Sequence, residues 1–85
     1  MKVRLHGVRN VYIDEGHIKL SALLKYAMVA SSGGEAKILV GQGGVFVDGE
    51  RCTQRGKKIR PGQLVRHGGQ LLIVRGKNVR QRDRP

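Results

Sequence analysis

The chain has no tryptophan, one phenylalanine and two tyrosines in 85 residues, so its core must be aliphatic, assembled from Val, Leu, Ile and Ala. A single cysteine, Cys52, excludes an internal disulfide framework and a thiol metal cluster. No apolar run approaches the roughly 18–20 residues of a membrane span. The opening Met1-Lys2-Val3-Arg4-Leu5-His6 lacks the apolar stretch of an export signal, and the expectation is a cytoplasmic protein with no membrane association. Acidic residues are also scarce. Six Asp and Glu face 17 Lys and Arg, a net charge of +11 that favours polyanionic partners. The last eleven residues hold five Lys/Arg and one Asp, which leaves +7 on residues 1–74. At this length the chain makes one domain with a modest core, expected over 1–74, followed by a basic disordered tail over 75–85.

The most informative stretch is Ser31 to Gly49, SSGGEAKILVGQGGVFVDG. Ser32 and Glu35 have the spacing of a capping box, in which the serine hydroxyl takes the Glu35 N–H and the carboxylate reaches back to the serine N–H. A helix is predicted from about Gly33 to Gln42, with Ala36, Leu39 and Val40 inward and Lys37 outward. Gly43-Gly44 stops it. Val45-Phe46-Val47 reads as a strand, and Asp48-Gly49 as a two-residue hairpin turn that pairs Glu50–Thr53 back on it. The two glycines at the helix start either ease a tight turn or leave the free N–H groups open to a phosphate.

Upstream, Val3 and Leu5 suggest a strand, Val11-Tyr12-Ile13 a firmer one, and Asp14-Glu15-Gly16 a turn. Leu20, Leu23, Leu24, Ala27 and Met28 mark the apolar stripe of a helix over 18–30. Downstream, Gln54 to Gly62 is a polar loop ending in a Pro61-Gly62 turn. Leu64-Val65 and Leu71–Val74 are strands reversed at Gly68-Gly69. Together these elements predict an α+β domain, two packed helices on a small, mostly antiparallel sheet.

Catalytic and metal motifs fail on inspection. Gly41-Gln42-Gly43-Gly44 precedes a strand where a KH loop needs a helix, and Glu50-Arg51 stands where a Walker A loop needs Lys-Ser/Thr. His6, His17 and His67 have no ligand spacing, Asp14 and Glu15 share a turn, and Cys52 in a strand reads as a small core residue. No cofactor, metal or small-molecule substrate is expected, and the chain reads as a non-enzyme. Tyr26 can be read as a base-stacking ring or as a partly buried one, and few exposed aromatics favour a folded RNA over a single strand.

The order of these elements resembles the alpha-L RNA-binding motif of the domain named after ribosomal small-subunit protein four. The resemblance rests on Leu23-Leu24-Lys25, Ser32-Gly33-Gly34-Glu35-Ala36-Lys37, Gly44-Val45-Phe46-Val47-Asp48-Gly49 and Arg60-Pro61-Gly62-Gln63-Leu64-Val65, and covers residues 20–66. The SGGEAK and RGKK segments are similar to the short stand-alone bacterial subtype of the YaaA/YbcJ kind. Two departures stand out: Gly33 where many members carry Arg, and Gln63 where Asp is commoner.

The resemblance implies a monomeric binder of structured RNA, ribosomal RNA or a ribosomal subunit foremost. Its contact surface would be Lys25, Ser32, Gly33, Gly34, Lys37, Arg55, Lys57, Lys58 and Arg60. Other readings are a tRNA or mRNA binder, an accessory subunit of an RNA-modifying enzyme, and a protein-interaction module docking an acidic partner.

Overall fold

The computed structural model describes residues 7–14 and 16–77. Val3, Leu5, Glu15 and the tail beyond residue 77 lie outside them. The described elements run β1 (Gly7–Ile13), β2 (Ile18–Lys19), α1 (Leu20–Tyr26), α2 (Gly33–Gly41), β3 (Val45–Val47), β4 (Glu50–Arg51), β5 (Lys58–Ile59), β6 (Leu64–His67) and β7 (Gln70–Gly76). Five strands form one sheet in the order β1-β7-β6-β3-β4, and β2 and β5 form a separate two-stranded ribbon. Only the β1–β7 contact is parallel; the other pairs are antiparallel. This is the expected α+β fold, two helices on a mostly antiparallel sheet.

Strand alternation sorts the sheet into two faces. Val45, Val47, Val65, Leu72, Val74, Val11 and Ile13 are buried on the face that meets Leu20, Leu23, Leu24, Ala36 and Val40 of the helices. The core is aliphatic, as the scarcity of aromatics requires, and Cys52 is one of its small members. The opposite face carries Val8, Phe46, Arg66 and Leu71 in register, all partly or largely exposed.

The helix expected over 18–30 is shorter at both ends. Ile18 and Lys19 form β2 and pair with Lys58 and Ile59 inside the segment expected to be a polar loop. Ile59, the one apolar residue of that loop, is fully buried, and the ribbon is what carries it into the core. At the other end α1 stops at Tyr26, because Met28 enters the left-handed region at φ 62. The Met28 N–H donates to Lys25 O (3.0 Å) and the Val29 N–H to Leu24 O (2.9 Å), the bonding of a Schellman cap. Met28 is 84% exposed and leaves the stripe it was expected to join, while Ala27 and Ala30 stay buried.

Helix α2 begins where the capping box puts it. Ser32 Oγ accepts the Glu35 N–H at 3.1 Å. The reciprocal arm differs by one residue: the Glu35 carboxylate accepts the N–H and the hydroxyl of Ser31, not the N–H of Ser32. Those two bonds hold the Glu35 carboxyl below its usual pKa. Ala36 and Val40 are buried, Leu39 is half-buried, and Lys37 is exposed.

After the break at Gly43, the β3–β4 turn has Asp48 at φ 51 and Gly49 at φ 88, the two positive values of a type I′ turn. The β4 ladder is shorter than expected, ending at Arg51, although the Cys52 N–H still reaches Val45 O (2.9 Å). Asp48 also reaches across the fold. Its Oδ1 accepts the Leu64 N–H and its Oδ2 the Gln63 amide, each at 2.9 Å, while its own N–H donates to Leu64 O at 2.8 Å. Gln63 Oε1 in turn accepts the Arg60 N–H (2.9 Å) across the Pro61-Gly62 turn. The departure from Asp at position 63 is thus accommodated by a side chain that bridges two turns. The Gln63 and Leu64 hydrogen bonds hold the Asp48 carboxyl below its usual pKa, and the charge of Lys57 adds in the same direction.

Strand β7 continues past Val74. Arg75 and Gly76, expected in the tail, pair with Tyr12 and Ile13, and Arg75 Nε donates to Asn10 Oδ1 at 2.7 Å. The ordered strand therefore runs two residues beyond the expected domain limit.

Three stability measurements follow from these caps and turns. Ser32→Ala should cost on the order of 1 kcal/mol in urea denaturation, the usual worth of an N-cap, and an unchanged midpoint would contradict the start of α2. Met28→Gly should raise stability by roughly 0.5–1 kcal/mol. Relief of left-handed strain outweighs glycine's extra chain entropy there, whereas Met28→Ala should bring no such gain. Because the Asp48 pKa is depressed in the folded state, its contribution is complete above the ordinary carboxylate range and is lost as pH falls through the lowered value. The denaturation midpoint of the wild type should therefore fall on acidification more steeply than that of Asp48→Asn. Parallel profiles would show that Asp48 adds nothing to the pH dependence.

Candidate nucleic-acid interface

Helix α1 has no side-chain N-cap; Lys19 holds the N-cap position in extended backbone without a capping bond. Its first free N–H groups are taken by the following loop instead. The Leu20 N–H donates to Lys57 O at 2.8 Å and the Ser21 N–H to Arg55 O at 3.0 Å. A helix end must find acceptors for its orphan donors, and here loop carbonyls provide them. The loop backbone is therefore pinned across the start of α1, with Arg55, Lys57 and Lys58 exposed around it.

The β2–β5 ribbon adds a cation that the sequence reading missed. Lys19 sits directly opposite Lys58 in the ladder, and both are exposed. Like charges in opposed positions are destabilising, so this pairing concentrates positive potential at a cost to the fold. The available signal was Ile59, whose burial requires a partner strand and so brings Lys19 to Lys58. An acid enters the neighbourhood as well. No acidic residue occurs between Arg51 and Arg60, but the fold brings Asp48 close enough to Lys57 for the lysine's charge to lower its pKa.

The α2 residues lie on the helix that packs against α1. Ser32 is committed to its cap. Gly33 and Gly34 are exposed and have no positive φ. A Cβ at Gly33 would meet nothing within 4 Å, and one at Gly34 only Ser32 Oγ at 3.9 Å. Neither turn geometry nor packing requires glycine at these positions, which removes the tight-turn explanation and leaves an unobstructed helix start. Its electrostatics are mixed, since the Glu35 carboxylate lies at the same end.

Lys37 is exposed one turn further along α2. Lys25 occupies the last turn of α1, where a cation also complements the helix dipole. Arg60 is exposed beside the Pro61-Gly62 turn, with its backbone fixed by Gln63. Arg55, Lys57, Lys58 and Lys19 thus gather at one end of α1. Ser32, Gly33, Gly34 and Lys37 belong to the neighbouring helix, Lys25 to the far end of α1, and Arg60 to the loop beyond β5.

Among the described residues, Lys19, Lys25, Lys37, Arg55, Lys58 and Arg60 form no ion pair; the one salt bridge joins Lys77 to Asp14 at 3.6 Å. Two further arginines lie on the open sheet face, Arg66 at 4.4 Å and Arg51 at 5.6 Å from the Phe46 ring centroid. No group of three or more His, Cys, Asp or Glu side chains among the described residues is placed to hold a metal ion. Among the described residues, no helix is long and apolar enough to cross a membrane.

Residues 11–75 match the S4 domain family. The chain is 42% identical over 58 residues to a protein of Escherichia coli (strain K12) named "Putative RNA-binding protein YbcJ", an alignment covering 68% of this chain and 83% of the relative. The same identity and coverage relate it to "Uncharacterized protein YbcJ" of Shigella flexneri. With the helix pair, the Asp-Gly hairpin and the Pro-Gly turn in the order the sequence suggested, the chain belongs to the S4 domain family.

Proposed function

We propose that this protein is a non-catalytic, monomeric, cytoplasmic RNA-binding protein that holds structured RNA, ribosomal RNA or a ribosomal subunit foremost. The contact surface is the helix pair and the pinned basic loop: Lys25, Ser32, Gly33, Gly34, Lys37, Arg55, Lys57, Lys58 and Arg60, extended by Lys19. The observation that carries this reading is the cluster of cations at the start of α1, with Lys58 opposed to Lys19 and neither engaged by a carboxylate. A surface that places like charges in register without neutralising them is complementary to a polyanion. Phosphates on a folded RNA supply such charge at closely spaced intervals, and recognition would run through shape and backbone. The RNA-binding name of the Escherichia coli relative and the family membership support the same reading.

Lys57 lies near enough to Asp48 to lower its pKa, so Lys58 is the cleaner loop position to test. Lys37→Glu combined with Lys58→Glu should flatten the slope of log affinity against log salt by about one to two units, from roughly 0.7–0.9 per phosphate contact. The double change should weaken binding to a structured ribosomal RNA fragment far more than Arg82→Glu with Arg84→Glu in the tail. Circular dichroism would first establish that both variants fold. Equal losses from the two pairs would mean attraction to net charge alone, and the surface would have to be abandoned.

A further inference from the structure

We infer that the two tyrosines form a second, stacking subsite for unpaired nucleotides flanking the structured RNA; this rests on the RNA-binding reading above. Tyr12 comes from β1, an edge strand of the sheet, and Tyr26 from the last turn of α1. They are remote in sequence, yet both line the same two adjoining shallow depressions. One, of about 330 Å³, also includes Arg9 and Asn10; the other, of about 390 Å³, includes Ile18 and Ala22. Tyr12 is 47% and Tyr26 58% exposed, so two of the chain's three aromatic rings stay outside the aliphatic core and line the same groove.

The size and chemistry of this groove select its occupant. Shallow depressions of this volume admit one or two flat rings, whereas a duplex is far wider than either. Aromatic rings beside a cationic surface are the usual platform for splayed bases, because every base offers a π-face. Arg9 lines the groove, and its guanidinium donates to the neutral Gln70 amide oxygen (3.1 Å). Among the described residues, the carboxylate lining the groove is Asp14, which is engaged by Lys77 at 3.6 Å. Lys25 of the proposed contact surface precedes Tyr26 in the last turn of α1. A strand leaving a duplex on the helix pair would thus reach the tyrosines along one helix.

The test uses the full chain and two RNAs, a blunt hairpin and the same hairpin with a short single-stranded uridine extension. The wild type should prefer the extended hairpin by about 5- to 150-fold, the range expected for one stacked base. Tyr12→Leu with Tyr26→Leu should abolish the preference while leaving affinity for the blunt hairpin unchanged, and Tyr12→Phe with Tyr26→Phe should retain it. With no tryptophan in the chain, tyrosine emission reads the groove directly and should be quenched by the extended hairpin more than by the blunt one. Equal affinity for the two RNAs, or a leucine variant that loses both equally, would overturn the subsite. Failure of the blunt hairpin to bind, with the extension effect intact, would overturn the structured-RNA reading and leave the groove standing.

Discussion

The arrangement depends on an unmet need of one short helix. Helix α1 lacks a capping side chain, and an unsatisfied buried N–H costs free energy comparable to a lost hydrogen bond. The carbonyls of Arg55 and Lys57 meet that need, so the backbone of a strongly basic loop cannot leave the helix start without stranding two donors. The same attachment brings Lys58 and Ile59 alongside Ile18 and Lys19. Burial of Ile59 then anchors the ribbon from beneath. The loop is thus fixed by its backbone and one apolar side chain, while its charged side chains remain exposed. Fold stability and surface charge are coupled through the same few residues.

The second constraint is the Asp48 carboxylate. An aspartate is well suited to a type I′ turn because it tolerates positive φ, but its use here extends beyond the turn. By accepting from Gln63 and Leu64 it fastens the β3–β4 hairpin to the start of β6, and Gln63 passes the constraint on to Arg60. Arg60 therefore has a fixed backbone although it lies in a solvent-exposed turn. The lock has an electrostatic consequence: it keeps a negative charge near Lys57, at the margin of the cationic cluster. Lys57 and Lys58 are adjacent in sequence but not equivalent, because one is near an acid and the other near a lysine.

Much of this could be read from the residues in order. Ser32 and Glu35 located α2, Asp48-Gly49 and Pro61-Gly62 located two turns, and the apolar stripe located α1, because each signal is local and its chemistry is satisfied within a few residues. What could not be read depended on distant partners. Ile18-Lys19 was expected to open the helix because it runs directly into the stripe that starts at Leu20, and only pairing with Lys58-Ile59 made it a strand. Met28 fitted the stripe. Reaching α2 requires a reversal that starts at Met28, and no glycine marks the place. The Ser31 partner of Glu35 was one residue from the expected one, a shift that side-chain reach decides and spacing cannot. At the candidate site, the basic loop was legible as a run of charge. Its attachment to α1, the Lys19–Lys58 opposition and the approach of Asp48 were not, since all three are products of tertiary contact.

These differences bear on how a small basic domain could discriminate among polyanions. Net charge alone attracts any of them, with an affinity that falls steeply as salt rises. Discrimination requires cations at set separations, which a flexible loop would supply only at an entropic cost on binding. Here the backbone ordering is already provided by folding: two N–H groups of α1, the buried Ile59 and the Asp48–Gln63 bridge hold the loop before any ligand arrives. What remains to be ordered is the rotamer freedom of individual lysines and arginines, a smaller term than ordering a whole loop segment. The open start of α2, where neither packing nor dihedral angles call for glycine, adds a place where an RNA backbone could approach closely. Preorganised backbone carrying mobile charge is the arrangement expected of a module that recognises the spacing of phosphates more than the identity of bases.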